Sequence, residues 1–205
     1  MGNASLPGMN ITYQFSNHGF EIHTQACPDE LLATLQQEFP IDSEPDWDLL
    51  TRSPRVRTES ESGIFKKLAA SILGPDCEPT HAILYNRTAS NNTPQHWHQD
   101  TTIKTPGEGF IEAPAEEVFG RLLSLRLSLD DSTFFDGGLK LCPTSHKHGR
   151  LRPDQISGHA ARPFSSPDMK AGDILLMHPL TIHASGASST LKPRRVIHIV
   201  YLRRV

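Results

Sequence analysis

The sequence predicts a β-sandwich or jelly roll flanked by helices, and three observations carry that expectation. Helical periodicity is confined to the first part of the chain. From Thr80 onward the apolar period drops to two. Fourteen glycines and sixteen prolines supply the turns that many short strands need.

In the first part, a short strand is expected near Gly19 to Thr24. In "CPDELLATLQQEF", Pro28 and Asp29 suit a first helical turn, and Leu31, Leu32, Leu35 and Phe39 recur at helical spacing. A second helix is expected in "ESGIFKKLAASILGP". There Ser62 caps the start, Ile64, Leu68 and Ile72 line one face, and Gly74-Pro75 end it. "THAILYNRT" then reads as a strand. "LLSLRLSLDD" is the clearest one, with Leu123, Leu125, Leu127 and Leu129 alternating with Ser124, Arg126 and Ser128. "GGLKLCP", "GDILLMHP", "TIHAS" and "RRVIHIVYL" follow as further strands, about eight in all. The segments Thr101 to Glu117 and Ser145 to Ser166 read as long loops of the kind that cover a site. The expectation is one domain over 1–205, with 1–78 a helical and mixed support and 79–205 the jelly-roll core.

A net charge of −3 gives no general attraction to nucleic acid or to an anionic membrane. No apolar stretch spans a bilayer. Cys27, Cys77 and Cys142 make an odd number with no close pairing, which suits a reducing compartment. The N-terminus lacks a basic region followed by an apolar run, so the cytoplasm is the expected location. The sequence is silent on oligomeric state.

"QHWHQDTT" places His96, His98 and Asp100 within five positions. On an extended strand, residues two apart face the same side, so His98 and Asp100 converge on one ion. A third ligand must come from elsewhere, and "LMHPLTIHASG" offers His178 and His183. Two histidines and a carboxylate on one face leave three positions of Fe(II) open. Arg194 follows, and its planar fork suits the far carboxylate of a small dicarboxylate. Ser185, on the face of His183, adds a hydroxyl.

"HWHQD", "GGLKLCPTSHKHG", "GDILLMHPLTIHASGAS" and "PRRVIHIVY" together resemble the phytanoyl-CoA dioxygenase family of Fe(II)/2-oxoglutarate-dependent oxygenases. The resemblance runs from about Ala82 to the C-terminus and implies a double-stranded β-helix, the cupin-like jelly roll. It implies iron held by His98, Asp100 and His183, with Arg194 and Ser185 on the 5-carboxylate of 2-oxoglutarate. It further implies O2-dependent hydroxylation of an unactivated C–H bond of a small molecule, with release of succinate and CO2. Asp100 is the carboxylate that halogenating relatives lack, so desaturation and ring closure remain alongside hydroxylation.

The neighbours of these residues have their own expectations. His96 shares the strand side of His98 and Asp100 and reads as a pocket residue. Gln99 faces away and braces the ligand strand. Arg126 lies on the polar side of its strand, where it either meets solvent or binds the 1-carboxylate of 2-oxoglutarate or a substrate anion. Thr102 is a further co-substrate candidate, and Tyr85 and Arg87 are substrate candidates near the mouth. Two other classes stand beside this one. A Zn(II) or Mn(II) hydrolase or isomerase would use the same triad without 2-oxoglutarate, and a binding protein would keep the fold with an inactive site.

Overall fold

The computed structural model describes residues 14–88, 91–105, 109–112, 115–190 and 192–204. The helices are α1 (Phe15–His18), α2 (Asp29–Glu38), α3 (Leu49–Arg52), α4 (Pro54–Glu61), α5 (Ile64–Leu73) and α6 (Pro153–Ala160). The strands are β1 (Phe20–His23), β2 (Cys77–Arg87), β3 (Gln95–His98), β4 (Thr102–Thr105) and β5 (Gly109–Glu112), then β6 (Leu122–Ser128), β7 (Leu139–Leu141), β8 (Ile174–Met177), β9 (His183–Ser185) and β10 (Arg194–Arg203). A major sheet runs β1-β8-β6-β10-β2, a minor sheet runs β3-β9-β7, and β4 and β5 form a separate hairpin. All pairings are antiparallel. This is the mainly β jelly-roll architecture with flanking helices, made from two facing sheets rather than one closed barrel.

The period-two pattern of β6 decides how the layers stack. Leu123, Leu125 and Leu127 face outward and join Leu31, Leu35, Phe65, Ala69 and Leu73 in one buried cluster with Ile197, Ile199 and Tyr201. The N-terminal helices therefore cover the outer face of the major sheet. Each leucine buried there contributes about 1.5–3 kcal/mol of transfer free energy. The Tyr201 hydroxyl ties β10 to the end of α4 by donating to the Ser60 carbonyl at 3.0 Å. With its leucines spent on the helices, β6 turns Ser124, Arg126 and Ser128 inward, and all of it is buried. The solvent-facing alternative for Arg126 is thereby overturned.

Several local expectations shift. Ser62 does not cap α5, whose N-cap is Gly63; the Ser62 hydroxyl instead donates to the Thr58 carbonyl and closes α4. Phe65, Ala69 and Leu73 form the buried ridge of α5, one residue round from Ile64, Leu68 and Ile72, which pack at its edges. The short helices α3 and α4 show no readable period: α3 is four residues long, and Val56 is the one buried apolar residue of α4. Yet Ser53 and Pro54 are a sequence-visible start: the Ser53 side chain accepts from Val56 N at 3.0 Å. The two expected long loops are also structured. Thr101 to Glu117 holds the β4–β5 hairpin and the start of a 3-10 turn at Glu116–Arg121, and Ser145 to Ser166 holds α6 and a 3-10 turn at Ser145–His148.

Candidate metal centre and co-substrate pocket

His98 and His183 are register partners on β3 and β9, so neighbouring antiparallel strands present both rings to the interior. The ring centroids are 4.2 Å apart. Asp100 lies just past the end of β3, held by its backbone N–H donating to the Pro179 carbonyl at 2.9 Å. Its Oδ1 is 3.6 Å from Nε2 of both histidines. The three side chains form a group whose ligand atoms all lie within 4.8 Å of one another.

The surroundings fix which atoms are free to ligate. His98 Nδ1 is 2.7 Å from the His96 carbonyl, and His183 Nδ1 is 2.9 Å from the Thr181 carbonyl. A carbonyl only accepts, so each Nδ1 carries the proton and each Nε2 keeps its lone pair for an ion. Asp100 Oδ2 is buried with no hydrogen-bond partner. Such an orphaned carboxylate oxygen is costly unless a cation takes it, and the N,N,O donor set fits divalent iron.

The electrostatics agree. Burial pushes the His183 pKa down to about 4, against the pull of Asp100, so the ring is neutral as a ligand must be. Burial also opposes charge on His98, but the adjoining Asp100 carboxylate outweighs it and holds its pKa above the ordinary imidazole value. For Asp100, burial is outweighed by His183 and His98, and the carboxyl stays well below its usual range.

The other histidines separate from the centre. His96 is exposed, because an irregularity between Gln95 and His98 breaks the alternation that would have turned it inward; only its carbonyl serves the site. His178 stays out too, with its Nδ1 accepting from Leu180 N at 3.1 Å and its ring against Phe15 and His146. Gln99 is buried and makes three hydrogen bonds. Its Nε2 donates to the Gly149 and Leu180 carbonyls at 2.9 and 2.8 Å, and its Oε1 accepts from Leu151 N at 2.8 Å. These anchor the ligand strand to the segments on both sides of it.

Deeper between the sheets, a cavity is lined by Arg126, Ser128, Ser132, Leu139, Arg194 and Val196. Strand alternation on β10 sends Arg194 into this space and Arg195 outward. Arg195 makes a bidentate pair with Asp130, at 2.9 and 2.6 Å, and donates to the Phe39 carbonyl. Arg194 Nε is buried with no partner, and burial, then Arg126 and Arg87, disfavours its charge. Arg126 donates to His198 Nδ1 at 3.3 Å and lies 5.5 Å from the Tyr85 ring centroid. Arg87 donates to the Ser185 hydroxyl at 2.8 Å, linking the two sheets.

Thr102 is exposed at the start of the hairpin, opposite Glu112, rather than in the buried cavity. A second cleft opens onto His98 between that hairpin and α6, lined by Thr101, Glu112, Glu116, Arg150, Arg152 and Ile156. Tyr85 meets the exposed Trp47 edge-on at 5.9 Å, and His81 meets the exposed Phe110 at 5.0 Å. His81, His198, Trp47 and Phe110 were missed from the sequence. Parity offered a signal for His198, which shares the inward face of β10 with Arg194, and for His81, which shares that of β2 with Tyr85 and Arg87.

The phytanoyl-CoA dioxygenase (PhyH) family model matches residues 30–196. The chain belongs to the phytanoyl-CoA dioxygenase family. Members of this family depend on iron, 2-oxoglutarate and O2, and the protein is an iron- and 2-oxoglutarate-dependent enzyme of this kind. No curated protein sequence matches it. Among solved structures, the fold is similar to the non-heme alpha ketoglutarate dependent epimerase SnoN from nogalamycin biosynthesis, at 18% identity and TM-score 0.72, covering 92% of this chain and 80% of that one. It is also similar to HygX from Streptomyces hygroscopicus with nickel and 2-oxoglutarate bound, at 14% identity and TM-score 0.74, covering 92% and 83%. AviO1 from Streptomyces viridochromogenes Tue57 matches at 19% identity and TM-score 0.70, covering 92% and 91%. Among the described residues, no helix is long and apolar enough to cross a membrane.

Proposed function

We propose that this family member oxidises a C–H bond of a small-molecule substrate, with hydroxylation as the outcome and His98, Asp100 and His183 as the iron ligands. The carrying observation is the orphaned Asp100 Oδ2 between two Nε2 atoms whose rings are pinned through Nδ1. Iron with 2-oxoglutarate and O2 supplies the oxidising power, coupling decarboxylation to succinate and CO2 to oxidation of the substrate.

The chain's own residues bind and orient. Arg194 receives the 5-carboxylate through parallel hydrogen bonds, with the Ser185 hydroxyl beside it. Arg126, held by His198 and stacked on Tyr85, faces the 1-carboxylate. Leu139 and Val196 wall the cavity and exclude water. The substrate enters by the cleft beside His98, whose rim carries Glu112 and Arg150 as an ion pair. Trp47 and Phe110 are exposed rings against Tyr85 and His81, on the inward face of β2. A protein named as an epimerase shares this fold; the support for hydroxylation is Asp100, the carboxylate that halogenating members of the family lack.

Succinate release tests the reading. Anaerobically reconstituted enzyme given O2 and 2-oxoglutarate should turn over slowly without substrate, and faster when a matching small molecule is added. Absence of succinate from iron-loaded protein would transfer the site to metal-dependent hydrolysis or isomerisation.

A further inference from the structure

We infer that Arg87 is a positioning residue that turns Ser185 into a hydrogen-bond donor for the distal carboxylate of 2-oxoglutarate. With Arg126 and Arg194 it makes the pocket select a dianion. The inference rests on the co-substrate reading above.

Arg87 is 8% exposed, on the inward face of β2, and is the register partner of Arg194 on β10. Neighbouring antiparallel partners place their Cβ atoms about 5 Å apart, so Arg87 stands beside Arg194, which lines the cavity, and disfavours its charge. Arg126 acts on both electrostatically. Among the described residues, none of the three arginines makes an ion pair with a carboxylate. Asp136 is the acidic group felt by Arg194, but its oxygens are taken by Thr133 N, the Thr133 hydroxyl and the Thr190 hydroxyl. Buried cations in this number need an anion to offset their desolvation. Arg194 Nε, buried and unpartnered, marks where it sits.

The Ser185 hydroxyl supplies the directional part. A hydroxyl has one proton and two lone pairs. Arg87 Nη2 donates to Oγ at 2.8 Å, while Nη1 is anchored on the Thr93 carbonyl. One lone pair is therefore occupied by a cation, which strengthens the O–H as a donor. Among the described residues, the acceptor for that proton is Gln95 Oε1, at a long 3.4 Å. A carboxylate on Arg194 offers a better acceptor, and the proton moves from Gln95 to it. Arg87 thus acts on the co-substrate through Ser185.

The test is a double-mutant cycle read as binding rather than turnover. Full-length protein loaded anaerobically with Fe(II) is titrated by calorimetry with 2-oxoglutarate and with 2-oxopentanoate, which has the same chain length but no distal carboxylate. Arg87→Met and Ser185→Ala should each weaken 2-oxoglutarate roughly tenfold, the size of one charge-assisted hydrogen bond. The double variant should be no weaker than the worse single, and 2-oxopentanoate affinity should be unchanged in all three. Arg87→Lys keeps the charge but cannot bond Thr93 and Ser185 together, so it should fold and still lose several-fold. Wild-type affinity in Arg87→Met or in Arg87→Lys overturns the inference, as do multiplicative losses in the double variant. Failure of the wild type itself to bind 2-oxoglutarate strikes instead at the proposed function.

Discussion

His98 and His183, 85 positions apart in sequence, face each other across a β3–β9 register pair with ring centroids 4.2 Å apart. Each is pinned by a carbonyl two residues before it, and Asp100 closes the triangle. The same logic, a backbone acceptor on Nδ1 and a free Nε2, is repeated on two strands of one sheet. It makes the site depend on the sheet register, so its predictions concern both metal and fold.

Asp100→Ala and His183→Ala should each abolish Fe(II) retention while leaving the circular dichroism spectrum unchanged. Removing Asp100 takes away an unsatisfied buried oxygen but also the carboxylate that favours charge on His98, so the metal-free variant should fold like the metal-free wild type with only a small change in stability. Equilibrium dialysis with iron and thermal unfolding of both forms check this.

Gln99→Ala removes three hydrogen bonds that hold the ligand strand without touching the ion. Outer partners of metal ligands cost about 10–100-fold in metal affinity when lost. Iron affinity should fall by that order while the donor set stays intact. An unchanged affinity would show that β3 is positioned by its ladder alone.

Arg194 and Arg195 give opposite outcomes from adjacent positions. Arg194→Met should lose 2-oxoglutarate binding with little change in stability. Arg195→Met leaves Asp130 beside α2 without its bidentate partner and should cost about 3 kcal/mol or more, as broken buried pairs do, with 2-oxoglutarate affinity retained. Chemical denaturation and calorimetry on both variants separate the two roles.

Acid should destabilise the metal-free protein. Burial lowers the pKa of His81, His178 and His183 to about 4, against about 6.5 for an unfolded histidine. Below pH 6.5 the unfolded chain binds protons that the folded one refuses, so this contribution is complete above 6.5 and falls away as pH drops toward 4. His98, with its raised value, runs the other way and adds stability that is lost as pH rises through its folded pKa. Three groups outweigh one. The melting temperature of the metal-free protein should therefore fall steadily between pH 6.5 and 4.5.

Much of this was legible in the chain. The leucine alternation of 122–128 identified β6, and its parity sorted Arg126 from its apolar neighbours. Which face is interior was not legible there, because both faces are buried and the N-terminal helices, not the barrel centre, claim the leucines. Leu125→Ala should accordingly cost about 2–5 kcal/mol without altering the iron site. The His-x-Asp spacing was readable, but the irregularity that expels His96 is a backbone event with no residue signature in "TPQHWHQD". Arg87's bond to Ser185 joins residues 98 apart on opposing sheets, a relation set by how the sheets stack rather than by either strand's pattern.

The central claim is that His98, Asp100 and His183 hold iron with open adjacent positions that 2-oxoglutarate fills. The most direct measurement is the visible spectrum of metal-free protein after anaerobic addition of Fe(II) and then 2-oxoglutarate. A weak metal-to-ligand charge-transfer band that appears only with both present, and is absent in Asp100→Ala, is the predicted result. Tight iron binding with no band on adding 2-oxoglutarate would contradict it.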